Sequence, residues 1–424
     1  MKMKKQKAAK AMDKSGLWFS LGVVTLAAGR LAAEQPVIYH GPLTPVTPVS
    51  VREQQEQSQT NSPNVFIPAS EARRSDVPQI FRSGPLSFRP HVGYQFLYGT
   101  GIQSTPTISG ETAIHTISPG FLLEYGTHWA LDYTPTITLY SNNQFHDTLG
   151  HAVTLRGGTS YEDWQFGLEQ TYGNSEQVLA ETGGQSVQTS FGTTLSASRI
   201  LNDKLSADFG FAQKIQDTDG FQGTRDWSLS SWLNYQFWQR LTVSGGAILG
   251  YVNVDFGDDQ TYQDLQARAH WRISDKLGLA VNAGGEAREF ASSGTIFSPV
   301  FGATFQYQPR ERTQLSVGAS RTVAPSLFVG QVSETTSFNA NIYQHLFKKF
   351  DLGIGASYGV ADYTLANGNS SRRDDSYSFS ARLSHPLFKR GTLSAIYQFS
   401  DNRSTQSQYT FRSNQFGAEF NYTF

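Results

Sequence analysis

The chain ends on Phe416-Gly-Ala-Glu-Phe-Asn-Tyr-Thr-Phe424, in which every second residue is apolar. The residues between these apolar positions are small or polar. A period of two places the two sets on opposite faces of a β-strand. One face suits lipid and the other suits a wet lumen, so the stretch favours a strand of a transmembrane β-barrel. The alternative is an amphipathic strand that ends a soluble sandwich, because soluble sheets alternate too.

The same stretch resembles the C-terminal β-signal of bacterial outer-membrane proteins, which the barrel-assembly machinery reads. The signal consists of a polar residue, any residue, Gly, two of any, an aromatic residue, any residue and an aromatic residue. The matching positions are Gln415, Gly417, Phe420 and Tyr422, and Phe424 closes the chain. The resemblance implies that this machinery is a partner during biogenesis.

The first thirty-three residues predict a secretory signal peptide. Six lysines lie between Lys2 and Lys14, an apolar stretch runs from Gly16 to Ala28, and small residues follow up to Ala33. These are the three regions of such a peptide, with cleavage expected after Ala33. An uncleaved inner-membrane anchor is the alternative, although the apolar stretch is short for a span. Together with the C-terminal signal, this predicts the bacterial outer membrane as the location.

Composition excludes several classes of function. After removal of residues 1–33, 27 basic and 34 acidic side chains remain, which argues against nucleic acid as a partner. The chain has no Cys, so disulfide frameworks, thiol catalysis and Cys-based metal sites are excluded. The 29 Phe, 19 Tyr and 39 Gly suit many alternating strands.

Residues 34–87 differ from the rest of the chain. They hold eight of the sixteen prolines, and the run from Arg52 to Pro63 contains no apolar residue. Such a segment buries too little surface to offset the entropy lost on ordering. The sequence therefore predicts a disordered or extended periplasmic arm over 34–87, followed by a barrel over 88–424.

A repeat of 36 to 41 residues organises the predicted barrel. It is marked by eight short polar or Gly-containing turns, which are centred on residues 126, 163, 203, 239, 275, 311, 348 and 389. Looser stretches lie midway between these turns, at 174–185, 216–224, 256–260, 291–295, 366–373 and 401–406. Short turns at one rim and longer loops at the other are typical of an outer-membrane barrel. The spacing predicts an all-β, up-and-down antiparallel barrel of about 18 strands, with 16 or 20 as alternatives.

Alternation also predicts which charged side chains line the lumen. Between Asp264 and Ile273, for example, Leu265 and Trp271 share one face and Arg268 and Arg272 share the other. The complete set of lumen or constriction candidates is Arg156, Glu169, Asp264, Arg268, Arg272, Glu286, Arg288, Arg382 and Glu419. Charged rings in a pore select solutes by sign. The alternative is that these residues only hydrogen-bond across a polar lumen and hold its shape.

Motifs of enzymes are missing from the sequence. It contains no His-Glu-x-x-His, no Gly-x-Ser-x-Gly and no Gly-rich phosphate loop. We expect no enzymatic activity, no cofactor and no metal. A meeting of His, Ser and an acid at one rim would argue against this expectation.

Residues 88–424 resemble the β-barrel porin families of Gram-negative bacteria, and among them the β-barrel porin 2 type that is often encoded in exopolysaccharide clusters. The resemblance is carried by the Pro-rich arm, the repeated Asp-Lys-Leu turns at 203–205 and 275–277, the aromatic strands and Phe424. It implies an outer-membrane channel with a link to exopolysaccharide export.

Two functions follow as hypotheses. In the first, the protein is a passive channel whose partners are membrane lipid and a polar solute or polysaccharide. In the second, it is a non-conducting barrel that displays loops or scaffolds a secretion complex, with a lumen blocked by the arm or an inturned loop.

Overall fold

The computed structural model describes residues 81–424 except 107, 127, 292, 293, 348 and 367, and it describes Arg82 by its backbone alone. The predicted signal peptide, residues 1–33, and residues 34–80 of the predicted arm lie outside the described residues. Within them, no helix has the length and apolar character needed to cross a membrane.

The described chain forms nineteen β-strands and one short 3-10 turn, η1. Their bounds are β1 Phe81–Ser83, β2 Leu86–Thr105, β3 Ile108–Tyr125, β4 Trp129–Tyr140, β5 Thr148–Tyr161, β6 Trp164–Leu179, β7 Gly184–Asn202, β8 Leu205–Thr218, β9 Thr224–Trp238, β10 Leu241–Val254, β11 Gln260–Ser274, β12 Leu277–Phe290, β13 Gly294–Arg310, β14 Thr313–Pro325, β15 Gln331–Leu346, β16 Phe350–Leu365, β17 Ser370–Leu387, β18 Gly391–Ser404, η1 Ser407–Tyr409 and β19 Phe411–Thr423. Strand β1 and the first residues of β2 fall within the range predicted as an arm. A turn at Gly84 and Pro85 lets this segment pair with itself.

The strands β2 to β19 form one closed barrel. Each pairs antiparallel with the next, and β19 pairs with β2 from Asn414 opposite Thr100 to Thr423 opposite His91. The prediction of an up-and-down barrel of 18 strands is confirmed, and the alternative of an open sandwich is wrong. Closure leaves no strand edge without a neighbour, which is the condition for a sheet that crosses lipid.

The two rims of the barrel differ. All eight predicted tight turns join strands at one rim, and the barrel's first and last strands also begin and end there. The opposite rim, which we call the loop rim, carries connections of two to seven residues. Four of the six predicted loops are shorter than expected; of the stretch 174–185, for example, only residues 180–183 are loop. The last loop lies at 405–410 rather than at 401–406. The prediction assigned polar stretches to loops. A strand that extends beyond the lipid has water on both faces, so it is polar on both faces although it is still a strand.

The exterior is apolar over a continuous band. On β9, for example, the outward side chains of Leu229, Leu233 and Phe237 are 60%, 52% and 55% exposed. Soluble monomers rarely expose contiguous apolar surface on this scale. Towards the loop rim the outward residues become charged and paired, as in Arg225 with Asp255 at 2.7 Å. The chain is therefore a transmembrane β-barrel of the outer-membrane type.

Candidate functional site

The nine charged candidates all lie on the inner side of the wall. On β11 the outward Leu265 is 68% exposed, whereas the inward Asp264 and Arg268 are 4% and 6% exposed. The strand register extends this inward or outward assignment to the neighbouring strands, because residues directly opposite each other share a face. The wall thus holds basic and acidic side chains at several heights in one lumen.

Arg268 is held flat against the wall. Its Nη2 donates to Asp208 Oδ2 at 3.1 Å and to Asn234 Oδ1 at 2.8 Å. Its guanidinium lies 4.0 Å from the centroid of the Trp232 ring. That ring covers Gly246, where any Cβ would overlap it. The charge is therefore compensated on three sides, and the guanidinium covers the Trp232 ring.

A second cluster lies nearer the loop rim on the same wall. Arg288 donates from Nε to Glu286 Oε1 at 2.7 Å and from Nη1 to Gln260 Oε1 at 2.8 Å. Its guanidinium lies 4.7 Å from the Tyr262 ring, and the Tyr262 hydroxyl donates to Asp226 Oδ1 at 3.1 Å. Arg288 is therefore fully engaged by Glu286, Gln260 and the Tyr262 ring, and the Asp226 carboxylate accepts from the Tyr262 hydroxyl.

Of the remaining candidates, Asp264 accepts from Gln266 Nε2 at 2.5 Å, and the other five form two ion pairs and one unpaired arginine. Arg382 donates through both terminal nitrogens to the two carboxylate oxygens of Glu419, at 3.0 and 2.7 Å. Arg156 and Glu169 are 3.3 Å apart and more exposed. Arg272 is exposed and has no ion-pair partner among the described residues. Of the two arginine candidates on one face of β11, Arg268 is therefore compensated and Arg272 is a free cation.

This difference predicts different results for two substitutions. We expect Arg272→Ala to shift the reversal potential of any channel current toward cation preference, because it removes a free lumen cation. Arg268→Ala should instead lower the free energy of unfolding by about 3 kcal/mol, since it leaves Asp208 without its partner. Urea titration in detergent measures the second effect. Arg156→Ala, which breaks an exposed pair, is the control and should cost less than about 1 kcal/mol.

The loop rim carries a cluster that narrows the mouth of the lumen. Three loops turn inward and meet there: β6–β7 (residues 180–183), β14–β15 (326–330) and β18–β19 (405–410). The first residues of β17 join them. We call the residues that join them the mouth cluster: Glu181, Ser326, Leu327, Phe328, Tyr363, Arg372 and Tyr409. The Glu181 carboxylate Oε1 accepts from Ser326 Oγ at 2.6 Å and from Leu327 N at 2.8 Å. One carboxylate therefore joins two loops that are 145 residues apart in sequence.

Arg372 holds the mouth cluster together. Its guanidinium lies between two rings, 4.0 Å from the Tyr363 centroid and 3.9 Å from the Tyr409 centroid. Its Nη1 donates to the backbone oxygen of Glu181 at 3.0 Å. Nη2 lies 2.8 Å from Asp374 Oδ2, and the two form an ion pair that lacks the alignment of a hydrogen bond. It also lies 5.6 Å from the Phe328 ring, so this arginine, with 4% of its side chain exposed, contacts the β6–β7, β14–β15 and β18–β19 loops.

Burial changes the chemistry of the Glu181 carboxyl. Desolvation raises its pKa above the ordinary value, and the nearby Asp374 carboxylate adds to the rise. Hydrogen bonds from Ser326 and Leu327 and the charge of Arg372 act in the opposite direction but are smaller. The closed mouth therefore binds a proton at Glu181 more tightly than an open, hydrated mouth would.

Sequence reasoning missed the mouth cluster. Residues 174–185 and 366–373 contain Glu181 and Arg372, and the sequence predicts both ranges only as loose polar loop. The one signal available was aromatic: Phe328 and Tyr409 lie in segments between predicted strands. Contacts between loops so far apart in sequence depend on how far each loop leans inward, which periodicity does not encode.

The structure also brings a histidine and an acid together at the tight-turn rim. Both His345 Nδ1 and the Tyr343 hydroxyl lie 2.6 Å from Asp351 Oδ1. Asp351 lies on β16, with His345 opposite it on β15 and Ser384 opposite it on β17, the other neighbouring strand. A nucleophile needs direct contact with its base, and here the acid stands between them. Across the described residues, no group of three or more potential ligands is placed to hold a metal ion.

Comparisons with known proteins concern the barrel. No protein-family model matches the chain, and no curated protein matches it. Among solved structures, Pseudomonas aeruginosa OccK2 (OpdF) is 13% identical, covering 79% of this chain and 98% of its own, with a TM-score of 0.44. Acinetobacter baumannii OccAB4 is 12% identical, covering 82% and 100%, with a TM-score of 0.44. Pseudomonas aeruginosa OprD is 11% identical, covering 80% and 95%, with a TM-score of 0.43. Similarity at this level says nothing about the solute of this chain.

Proposed function

We propose that the protein is an outer-membrane channel for small polar solutes, and that the mouth cluster narrows its loop rim. The observation that carries the proposal is a closed barrel with a polar inner wall whose large side chains lie flat. Trp232 and Tyr262 rest on Gly246 and Gly250, so these rings occupy the wall rather than the bore. A lumen of 18 strands is wide enough for water when no segment fills it.

The mouth cluster favours a small solute over a polymer. Three connections of the loop rim meet through Glu181 and Arg372, so a solute has to pass beside or displace these contacts. A glycan chain would require the mouth cluster to stay open until the whole polymer has passed. The link to exopolysaccharide export therefore remains a prediction from the family resemblance.

We expect the conductance of the protein in planar bilayers to rise with pH. The closed mouth has the higher Glu181 pKa, so its stability is greatest near and below the ordinary value of 4.5 and is lost as pH rises through the raised pKa. Open probability should therefore be lowest in mildly acidic buffer and increase toward neutral and alkaline pH. Single-channel recording across this range measures the effect.

The control is Glu181→Gln, which keeps an acceptor for Ser326 and Leu327 but cannot ionise. Its current should be low and independent of pH. A wild type that conducts equally at every pH would contradict the role of Glu181. If neither the wild type nor a variant with a disrupted mouth cluster gives current at any pH, the result would favour the hypothesis of a non-conducting scaffold.

A further inference from the structure

The lipid-facing surface of β5–β10 contains an apolar furrow of about 640 Å³. Its lining alternates rings and branched side chains with small residues. Phe166 and Phe209 flank Ala197 in one row, Ser231 and Ala247 continue that row, and Leu229 lies in the next row. These residues lie on two adjacent rows of directly opposed residues, so the furrow crosses several strands.

A cation stands at the end of the furrow that faces the tight turns. Arg199 follows Ala197 on the same face of β7, and its guanidinium lies 5.3 Å from the Trp164 ring. Trp164 stacks on Phe166 at 5.8 Å and lies 6.3 Å from Phe209, so it contacts two of the rings that line this end of the furrow. Arg199 is exposed, and none of the described residues forms an ion pair with it.

The position of Arg199 along the membrane normal follows from the tight turn beside it. Strand β7 ends at Asn202, and the tight turn at 203–204 comes directly after it. A tryptophan and an arginine at this position are typical of the boundary between lipid and water. An arginine at that boundary presents donors in a planar fork that matches a phosphate group.

We propose that this surface binds one phospholipid from the leaflet on the tight-turn side, with its phosphate on Arg199 and one acyl chain in the furrow. The apolar lining favours an apolar occupant, and the unpaired cation at one end favours an anionic group next to the chain. A phospholipid supplies both in one molecule. This inference concerns the outside of the barrel and does not depend on conduction through it.

Native mass spectrometry of the full chain in mild detergent tests the proposal. The probes are phosphatidylglycerol and a diacylglycerol with the same acyl chains but no phosphate. We expect the wild type to retain one phosphatidylglycerol per barrel and to retain the diacylglycerol roughly tenfold less, because a charge-assisted hydrogen bond is lost. Arg199→Gln should lower phosphatidylglycerol retention by a similar factor, and Ala197→Phe should lower it by filling the furrow.

Arg412→Gln is the matched control. Arg412 is also an exposed arginine beside a ring, 5.3 Å from the Phe399 centroid, but it lies toward the loop rim and away from the furrow. Its substitution should leave retention unchanged. Heat-modifiable mobility in electrophoresis verifies that each variant is folded. Equal retention by the wild type and Arg199→Gln, or by the two probes, would overturn the proposal. Loss of barrel oligomers in Ala197→Phe without loss of lipid would overturn it in favour of a second copy.

Discussion

Arg372→Ala should open the mouth of the barrel and raise its open probability in planar bilayers by roughly thirtyfold. The guanidinium lies about 4 Å from two tyrosine rings and donates to the Glu181 backbone. A desolvated cation–π contact is worth about 2 kcal/mol or more, and 1.36 kcal/mol corresponds to a factor of ten. Without these contacts the β6–β7 and β18–β19 loops lose their common partner.

Arg403→Ala is the matched control for this experiment. Arg403 lies 5.2 Å from the Tyr377 ring and 3.1 Å from Asp401, but on the outer face of the barrel. Its removal should leave the current unchanged. If Arg372→Ala folds and gives the same small current as the wild type, the mouth cluster does not limit conduction. Liposome swelling with graded sugars would then measure the limiting radius elsewhere in the lumen.

Gly417→Ala should prevent the barrel from closing. Gly417 lies on β19 opposite Leu97 of β2, at the seam where the last strand meets the first. A Cβ at this position would overlap the backbone oxygen of Phe96, and backbone cannot move aside as a flexible side chain can. Overpacking costs up to about 3 kcal/mol even where neighbours adjust. We therefore expect at least a tenfold loss of folded protein in the outer-membrane fraction.

Gly245→Ala provides the comparison, because a Cβ there meets nothing within 4 Å. That variant should assemble like the wild type, as judged by heat-modifiable mobility. Normal assembly of Gly417→Ala would show that the seam tolerates a side chain. The predicted assembly signal would then not need its glycine either. If Gly417→Ala fails to assemble, Phe424→Ala separates a steric failure from failed recognition, since it changes the signal without adding volume at the seam.

Much of the fold could be predicted because a barrel repeats a local rule. The alternation around Leu265 and Arg268 assigns inside and outside residue by residue, and the polar turns near 203 and 275 recur once per strand pair. Each of these features depends on neighbours a few residues away. The charged candidates could therefore be placed on the lumen side without coordinates.

The state of each charge could not be predicted in the same way. Arg268 and Arg272 look equivalent in the sequence, four residues apart on one face. The structure pairs the first with Asp208 and leaves the second free, because Asp208 lies three strands away around the wall. Which acid an arginine reaches depends on strand register and tilt across several hairpins.

By itself, the sequence determined that the chain alternates, turns at a regular interval and ends on an aromatic strand, and these local facts are sufficient for an 18-stranded barrel. Only the tertiary structure decided that the β6–β7 loop reaches Ser326 and that Arg372 lies between two tyrosines. It also decided that the lipid face carries a furrow ending at Arg199. The physical reason is that periodicity sets the face of each residue, whereas contacts between distant loops and strands arise only when the sheet has closed.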